Sequence, residues 1–333
     1  EERIKGLRKS MRLYNSVGTT SIYEGHGSSP ESIALYRELH ERKELTVRSR
    51  LNVSPTWQNM TQAREQICRG LSGARGNCEG DDWLSINGIF IGLLGDIKLR
   101  EYALNALPDT GWSGFIEPST SYDDFGELAN LCAINGLRLH TIVSGRMEKV
   151  IPILEHANRI NNIGERRWVI EHIDIVEPKH IVALKKLGVC VTAIPVSTIW
   201  QRGANIIGQS DDGNNIMPLR SLMAANVPIA AGTDNIPYNP FYTLWTMMAR
   251  KARIKDRTIG TDQRLTAEQG LRALTIEGAR LSFEEEKKGS IEVGKLGDIA
   301  VLNADPMSAS LDIIKEIRAD LTIVGGEIVH NSL

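Results

Sequence analysis

Three side chains of the kinds that bind metal ions fall in or just after apolar segments of this sequence. His172 follows residues 168–171, Asp234 follows residues 230–233, and His140 lies within residues 137–143. Imidazole and carboxylate groups are suitable ligands for zinc and similar divalent ions. We therefore predict that His140, His172 and Asp234 contribute to one metal site.

Each of the three residues also has a structural interpretation. A histidine at a strand end is often a hydrogen-bonded structural group, and an aspartate after Gly-Thr is often a helix N-cap or a turn residue. We prefer the metal site because the three residues occupy similar positions in successive parts of the chain. His26 also lies just past a strand end and can contact a substrate, although its flanking glycines suit a plain loop equally well.

The elements that must position these residues are strands that alternate with helices. This alternation predicts right-handed crossovers and a parallel sheet. It suits a doubly wound sheet or a (β/α)₈ barrel that lacks one unit, and no GxGxxG follows a strand, which weakens a dinucleotide-binding fold. In a parallel barrel the catalytic groups lie at the carboxyl ends of the strands. The predicted strands are residues 18–23, 46–53, 88–94, 137–143, 168–172, 189–193 and 228–232.

The two ends of the sequence differ from this pattern. Residues 1–17 form a charged amphipathic helix with apolar residues at helical spacing. Residues 297–302 and 321–329 are strands without a following helix, and the capping box Thr266-Ala267-Glu268-Gln269 opens a helix before them. We predict a hydrolase-type barrel over residues 1–285 and part of a small β-sandwich over residues 286–333.

Composition narrows the class of protein. The chain has 333 residues, is 41% hydrophobic and carries a net charge of −2, so it has no basic field for nucleic acid. Four scattered cysteines without CxxC spacing favour free thiols in a reducing compartment, and we expect a cytoplasmic protein. No apolar run is long enough for a membrane span, and we find no signal peptide.

Several segments resemble the amidohydrolase superfamily. Within it, the chain is most similar to the branch that contains N-substituted formamide deformylase and related amide and carbamate hydrolases. The most specific segment is residues 289–302, which resembles the element where such chains leave the barrel and enter the β-sandwich. The other matching segments are Asp305-Pro306, residues 322–326, Ile170-Glu171-His172 and Ala231-Gly232-Thr233-Asp234.

This resemblance implies a (β/α)₈ TIM barrel with a divalent metal ion, most often zinc, at the strand ends. The metal ion lowers the pKa of a bound water, which then attacks a carbonyl carbon. By resemblance, Asp234 is a metal ligand or the group that moves a proton to the leaving nitrogen. His172 is a metal ligand or polarises the carbonyl oxygen.

The sequence departs from the family in its first strand. The family's His-x-His is absent, and residues 18–23 match the second strand of the barrel. We expect a second polypeptide or an N-terminal fragment to supply the first strand with its His-x-His, and we expect an oligomer. A processed or incomplete fragment is the alternative.

Two further departures concern metal ligands. Phe90 occupies the position of a bridging lysine, and Lys98 lies nearby in a predicted loop, so one metal ion is favoured over two. Ile142 occupies the position of the fifth-strand histidine, and His140 lies two residues earlier on the same face. His140 can therefore reach the metal ion after a small shift, or it is a buried group behind the ligands.

These observations predict hydrolysis of a non-peptide C–N bond, such as an amide, a carbamate or a urea-like group, in a small molecule. One alternative is a non-catalytic subunit that kept the fold and lost the site. Another is a lyase or isomerase on the same barrel. The aromatic residues after the last two strands favour an apolar or aromatic substrate, and they are Trp200, Tyr238, Phe241 and Trp245.

Overall fold

A computed structural model describes residues 1–55, 57, 59–70, 79–92, 121–143, 145–207, 213–234, 237–254 and 257–333. The chain divides into two compact units. The first unit comprises Glu1–Ile22, His172–Val182 and Val191–Leu333, and the second comprises Tyr23–Glu171 and Ala183–Cys190.

Helices and strands alternate along most of the described chain. The helices are α1 Glu2–Asn15, α2 Pro30–Glu41, α3 Met60–Arg69, α4 Tyr122–Ile134, α5 Met147–Ile160, α6 Pro178–Leu187, α7 Gly203–Ile206, α8 Leu219–Ala224, α9 Pro240–Ala249, α10 Ala267–Leu274, α11 Ile276–Leu281 and α12 Leu311–Ile314. The strands are β1 Ser21–Ser28, β2 Arg48–Val53, β3 Glu79–Gly80, β4 Leu84–Phe90, β5 Leu139–Ile142, β6 Val169–Glu171, β7 Cys190–Ala193, β8 Ile229–Ala231, β9 Ile299–Leu302, β10 Ala319–Val324 and β11 Glu327–Asn331. A π-helix, Val196–Gln201, follows β7, and a short 3₁₀ helix spans Thr261–Gln263.

The second unit is built on a sheet with the strand order β1-β2-β4-β5-β6. The pairs β2–β4, β4–β5 and β5–β6 are parallel, and the short β3 pairs antiparallel with the start of β4. All residues of β4 are buried, as predicted for a strand that is covered on both faces. The predicted strand at residues 88–94 thus begins earlier, at Leu84, and its last two residues lie outside the described part.

The first unit combines the parallel pair β7–β8 with an antiparallel sheet of order β11-β10-β9. The predicted strand at residues 321–329 is instead a hairpin of β10 and β11. Gly325 and Gly326 have φ angles of 62° and 85°, and this left-handed backbone is what a tight hairpin turn requires. Because strand-forming residues flank the turn on both sides, the sequence pattern predicted one strand where there are two.

The N-terminal helix packs against the antiparallel sheet, within the first unit. Ile4 and Met11 of α1 are buried, which confirms its predicted amphipathic face. The Thr322 hydroxyl on β10 donates a hydrogen bond to the Asn15 carbonyl at the end of α1, at 2.6 Å. The two ends of the chain therefore fold against each other, and the predicted boundary between residues 285 and 286 stays a prediction.

The cysteines of the described chain are free thiols, as expected. Cys132 and Cys190 are buried and Cys68 is exposed, whereas Cys78 lies outside the described residues. In the described ranges, we find no helix with the length and apolar character needed to cross a bilayer.

Candidate active site

A buried polar cluster lies inside the second unit, around His140 of β5. His140 is fully buried, and its Nδ1 lies 3.1 Å from Glu171 Oε1 at the end of β6. The Tyr23 hydroxyl oxygen on β1 lies 3.0 Å from both ring nitrogens of His140. When Nδ1 carries the proton and donates it to the carboxylate, Nε2 accepts a hydrogen bond from the Tyr23 hydroxyl.

Burial sets the protonation of this cluster. Two effects hold the pKa of His140 well below its usual value: burial is the larger and the nearby Arg138 charge is the smaller. His140 is thus a neutral imidazole. Burial likewise raises the pKa of Tyr23, with a smaller opposing effect from Arg138, so Tyr23 keeps its proton and can donate it.

Two glycines provide the space that the cluster occupies. A Cβ atom on Gly25 would lie 2.6 Å from Glu171 Oε1, and one on Gly88 would lie 2.7 Å from the Arg138 carbonyl oxygen and 2.8 Å from His140 Nε2. A larger residue at either position would collide with these groups. The glycines on β1 and β4 are therefore part of how the second unit holds His140 and Glu171.

His172 and Asp234 belong to the first unit and follow the ends of β6 and β8. Both have left-handed backbones, with φ angles of 53° and 58°. This conformation costs a residue with a side chain about 1–2 kcal/mol, and six other non-glycine residues of the described chain also adopt it. The His172 N–H donates to Thr192 Oγ1 at 3.2 Å, so the neighbouring β7 holds the strained residue in place.

The chemistry of these two residues fits a divalent metal ion. Burial and then the nearby Arg202 charge lower the pKa of His172 to about 4, so its ring is neutral at physiological pH and has a lone pair to offer. Asp234 adds a carboxylate. Both side chains are half-buried, and an imidazole with a carboxylate is a donor set that zinc accepts.

Within their described residues, neither unit by itself contains a complete set of metal ligands. Taken singly, neither unit places three histidine, cysteine or carboxylate ligand atoms within 4.8 Å of one another in its described part. His172 and Asp234 share the first unit, whereas His140 belongs to the second and is engaged by Glu171 and Tyr23. The hydrogen bonds of His140 favour its interpretation as a buried group behind the ligands.

The residues at the expected ligand positions are apolar. Phe90 is 2% exposed and pairs with His140 across β4 and β5, while Ile142 pairs with Glu171 across β5 and β6. His26 approaches Phe90, with 5.6 Å between the ring centres. Lys98 lies outside the described residues.

Sequence reasoning missed Glu171 and Tyr23. Glu171 stands in the apolar segment before His172, and a charged residue inside a buried strand is a signal of a specific partner. Tyr23 had no comparable signal, because tyrosine is common in strands.

The predicted aromatic residues do not form one group. Trp200 contacts Tyr242, which in turn contacts Trp245, with ring centres 5.3 and 5.2 Å apart. Tyr238 instead contacts Tyr14 of α1, with ring centres 6.1 Å apart.

Comparison with known proteins gives a consistent family and fold. The profile of the amidohydrolase family matches residues 1–330. N-substituted formamide deformylase of Arthrobacter pascens is 27% identical over 207 residues, which cover 61% of this chain and 38% of that enzyme. Imidazolonepropionase of Colwellia psychrerythraea is 26% identical over 161 residues, 46% of this chain and 34% of that enzyme. The chain thus spans well under half the length of these curated relatives.

Solved structures confirm the predicted barrel. An uncharacterized metal-dependent hydrolase from Pyrococcus horikoshii matches with a TM-score of 0.67 at 15% identity, over 93% of this chain and 61% of that one. A mutant atrazine chlorohydrolase from Arthrobacter aurescens, complexed with zinc and atraton, matches with a TM-score of 0.59 at 15% identity, over 99% of this chain and 72% of that one. At this identity the likeness shows the fold, which is the (β/α)₈ barrel with a small antiparallel sheet.

Proposed function

We propose that this chain, which belongs to the amidohydrolase family, carries part of the active site of a metal-dependent hydrolase. The reaction is cleavage of a non-peptide C–N bond in a small molecule, of the amide, carbamate or urea-like kind. The observation that carries the proposal is the placement of His172 and Asp234, the family's sixth- and eighth-strand residues, after β6 and β8 in strained left-handed backbone. The formamide deformylase relative agrees with an amide substrate.

We assign His172 and Asp234 to one divalent metal ion, with zinc favoured. When bound, such an ion lowers the pKa of a coordinated water and polarises a carbonyl group. The neutral His172 ring offers its lone pair as a ligand or donates an N–H to the carbonyl oxygen. The Asp234 carboxylate accepts a proton from the attacking water and passes it to the leaving nitrogen. A single ion is favoured because Phe90 cannot bridge two.

The remaining ligands, in this proposal, come from a His-x-His on a segment or partner outside these 333 residues. An exposed apolar face of the antiparallel sheet supports this part of the proposal. Val301 pairs with Leu321, and Ile323 pairs with Ile299 and Ile328, so these aliphatic side chains share one face of the sheet. Val301 is 44% and Ile328 61% exposed, and exposed apolar faces of this kind mark interaction surfaces.

A second candidate function is a non-catalytic subunit. The apolar residues Phe90 and Ile142 at expected ligand positions favour it, together with the hydrogen bonds that occupy His140. A subunit of this kind would keep the barrel and bind the partner without contributing to the reaction.

Replacement of Asp234 separates the two candidates. The protein is purified with whatever copurifies, its zinc content is measured, and hydrolysis of N-alkyl formamides, carbamates and ureas is followed. Asp234→Asn should lower kcat at least about a hundredfold, because a positioned general base typically contributes that much. Asp312→Asn, at an exposed residue of α12, is the matched control and should retain full activity.

Full activity of the Asp234→Asn protein would contradict the catalytic role of this chain. If Asp234→Asn hydrolyses these substrates at the unaltered rate, the chain is a non-catalytic subunit. Two tightly held zinc ions per site would contradict the single-ion proposal.

A further inference from the structure

A cleft of about 240 Å³ lies at the amino end of β4, within the second unit. Its walls are formed by the C-terminal half of α2, by β3 and the turn that follows it, and by the first residues of β4. β4 runs from Leu84 to Phe90, and at a rise of about 3.3 Å per residue its two ends are roughly 20 Å apart. The cleft therefore lies at the end of β4 remote from Phe90 and its pair His140, whereas a parallel barrel carries its catalytic groups at the carboxyl ends of its strands.

Two exposed residues of opposite charge line the cleft, Arg37 on α2 and Asp81 before β4. Asp81 is held in place by the N–H groups of Trp83 and Leu84, which donate to its Oδ1 at 2.8 and 3.0 Å. Its Oδ2 lies 2.7 Å from His40 Nε2. A carboxylate has about four lone-pair sites, so Oδ2 can accept one further hydrogen bond.

Arg37 lies close to Asp81 without pairing with it. Arg37 stands three residues before His40, so the Cβ atoms of these two residues are about 5–6 Å apart on one face of α2, and His40 contacts Asp81. The Arg37 guanidinium nevertheless forms no hydrogen bond or ion pair in the part of the chain that the structure describes. Two opposite charges that share a cleft without pairing with each other fit a ligand that carries both charges.

An aliphatic surface and a small volume define the rest of the cleft. Leu84 and Ile86 both line it, share one face of β4, and are 9% and 6% exposed. Pockets for drug-sized ligands occupy about 300–1,000 Å³, so this cleft suits a smaller molecule.

We propose that the cleft binds a free α-amino acid with an aliphatic side chain. Arg37 binds the carboxylate of the amino acid through two N–H groups, and Asp81 Oδ2 accepts a hydrogen bond from its ammonium group. The side chain of the amino acid packs on Leu84 and Ile86. This site is independent of the proposed hydrolysis, so either proposal can fail without the other.

Saturation-transfer NMR of the whole chain with three related compounds tests the ligand class. L-leucine should bind with a dissociation constant of about 1 mM or below. 4-Methylpentanoate lacks the ammonium group and 3-methylbutylamine lacks the carboxylate, so each should bind at least about 10-fold more weakly. The proposal is overturned if L-leucine does not bind, or if either analogue binds as tightly.

Arg37→Met locates the site. Arg37 is exposed and has no polar contact to lose in the described chain, so the variant should fold normally. Its affinity for L-leucine should fall about 10-fold, because the carboxylate loses a charged hydrogen-bond donor. Its affinity for 3-methylbutylamine should stay the same, since that compound has no carboxylate. An equal loss for both compounds would indicate a structural role for Arg37 and contradict the assignment.

Arg42→Met is the matched control. Arg42 is exposed at the end of the same helix and pairs with Glu38, but it does not line the cleft. The substitution removes the same charge and should leave the affinity for L-leucine unchanged. If it weakened binding as much as Arg37→Met, the net charge of the region rather than the cleft would account for the affinity, and the proposed site would be wrong.

Discussion

His172 and Asp234 both lie in strained backbone. Each residue adopts a left-handed conformation that a glycine would adopt without strain, yet each position carries a side chain that can bind metal. Thr192 of β7 accepts hydrogen bonds from the N–H groups of His172 and Ile173, at 3.2 and 3.1 Å, and so holds the chain there. Six other non-glycine residues of the described chain adopt this conformation, so His172 and Asp234 are distinguished by their ligand-type side chains and by their places after β6 and β8.

Gly88 should be intolerant of any side chain. A Cβ atom there meets the Arg138 carbonyl, which is fixed in the sheet and cannot move aside. We expect Gly88→Ala to lower the free energy of unfolding by about 2 kcal/mol, as overpacking in a core does. Denaturant titration followed by circular dichroism measures the loss.

Gly126→Ala is the control for the Gly88 experiment. Gly126 lies inside α4, and a Cβ atom there would have no heavy atom within 4 Å. Alanine should therefore stabilise this helix by about 0.5–1 kcal/mol. If both variants were equally stable, the close packing around His140 would not be what requires glycine at position 88.

Helix caps are the elements that the local sequence specified most directly. The capping box predicted at Thr266 is present: the Thr266 hydroxyl accepts from the Gln269 N–H at 3.2 Å, and the Gln269 side chain accepts from the Thr266 N–H at 3.0 Å. Ser29 caps α2 in a similar way, before the proline that begins the helix. These contacts span three residues, so the sequence alone can define them.

Removal of the cap should have a small and local effect. Thr266→Ala should lower the free energy of unfolding by about 1 kcal/mol, because the Gln269 N–H at the start of α10 loses its hydrogen-bond acceptor. Thr261→Ala, at another exposed threonine of the first unit, should change it by less than about 0.5 kcal/mol. Urea unfolding measures both, and an equal loss in the two variants would argue against a capping role.

Contacts between distant parts of the sequence hold the first unit together. The buried Lys288 Nζ lies 2.8 Å from Glu284 Oε2 and donates to Ser21 Oγ at 3.0 Å. Ser21 begins β1, so a residue near the C-terminus fixes a residue near the N-terminus. The pair is 7% and 5% exposed, and a buried pair of charges depends on both partners.

Lys288→Met should therefore destabilise the whole first unit. It leaves the Glu284 carboxylate buried without this cation, and we expect a loss of about 3 kcal/mol or more in the free energy of unfolding. The double variant Lys288→Met, Glu284→Leu should lose less, because no charge is left behind. Thermal and denaturant unfolding provide the comparison.

Arg280→Met provides the surface control for Lys288. Arg280 and Glu277 lie 3.9 Å apart at side-chain exposures of 47% and 18%. Solvent screens this pair, so its removal should cost less than about 1 kcal/mol. A Lys288 variant no less stable than the Arg280 variant would refute the structural role of the buried pair.

The sequence by itself determined the alternation of strands and helices, the amphipathic α1, the helix caps and the family motifs around His172 and Asp234. All of these depend on residues close together in the chain, where the periodicity of 2 or 3.6 residues dictates which side chains share a face. Only the tertiary structure decided that His140 meets Glu171 and Tyr23, which are 31 and 117 residues away. It also decided that the last predicted strand is a hairpin. Such contacts depend on strand register and on which strands are neighbours, and no local pattern encodes either of these.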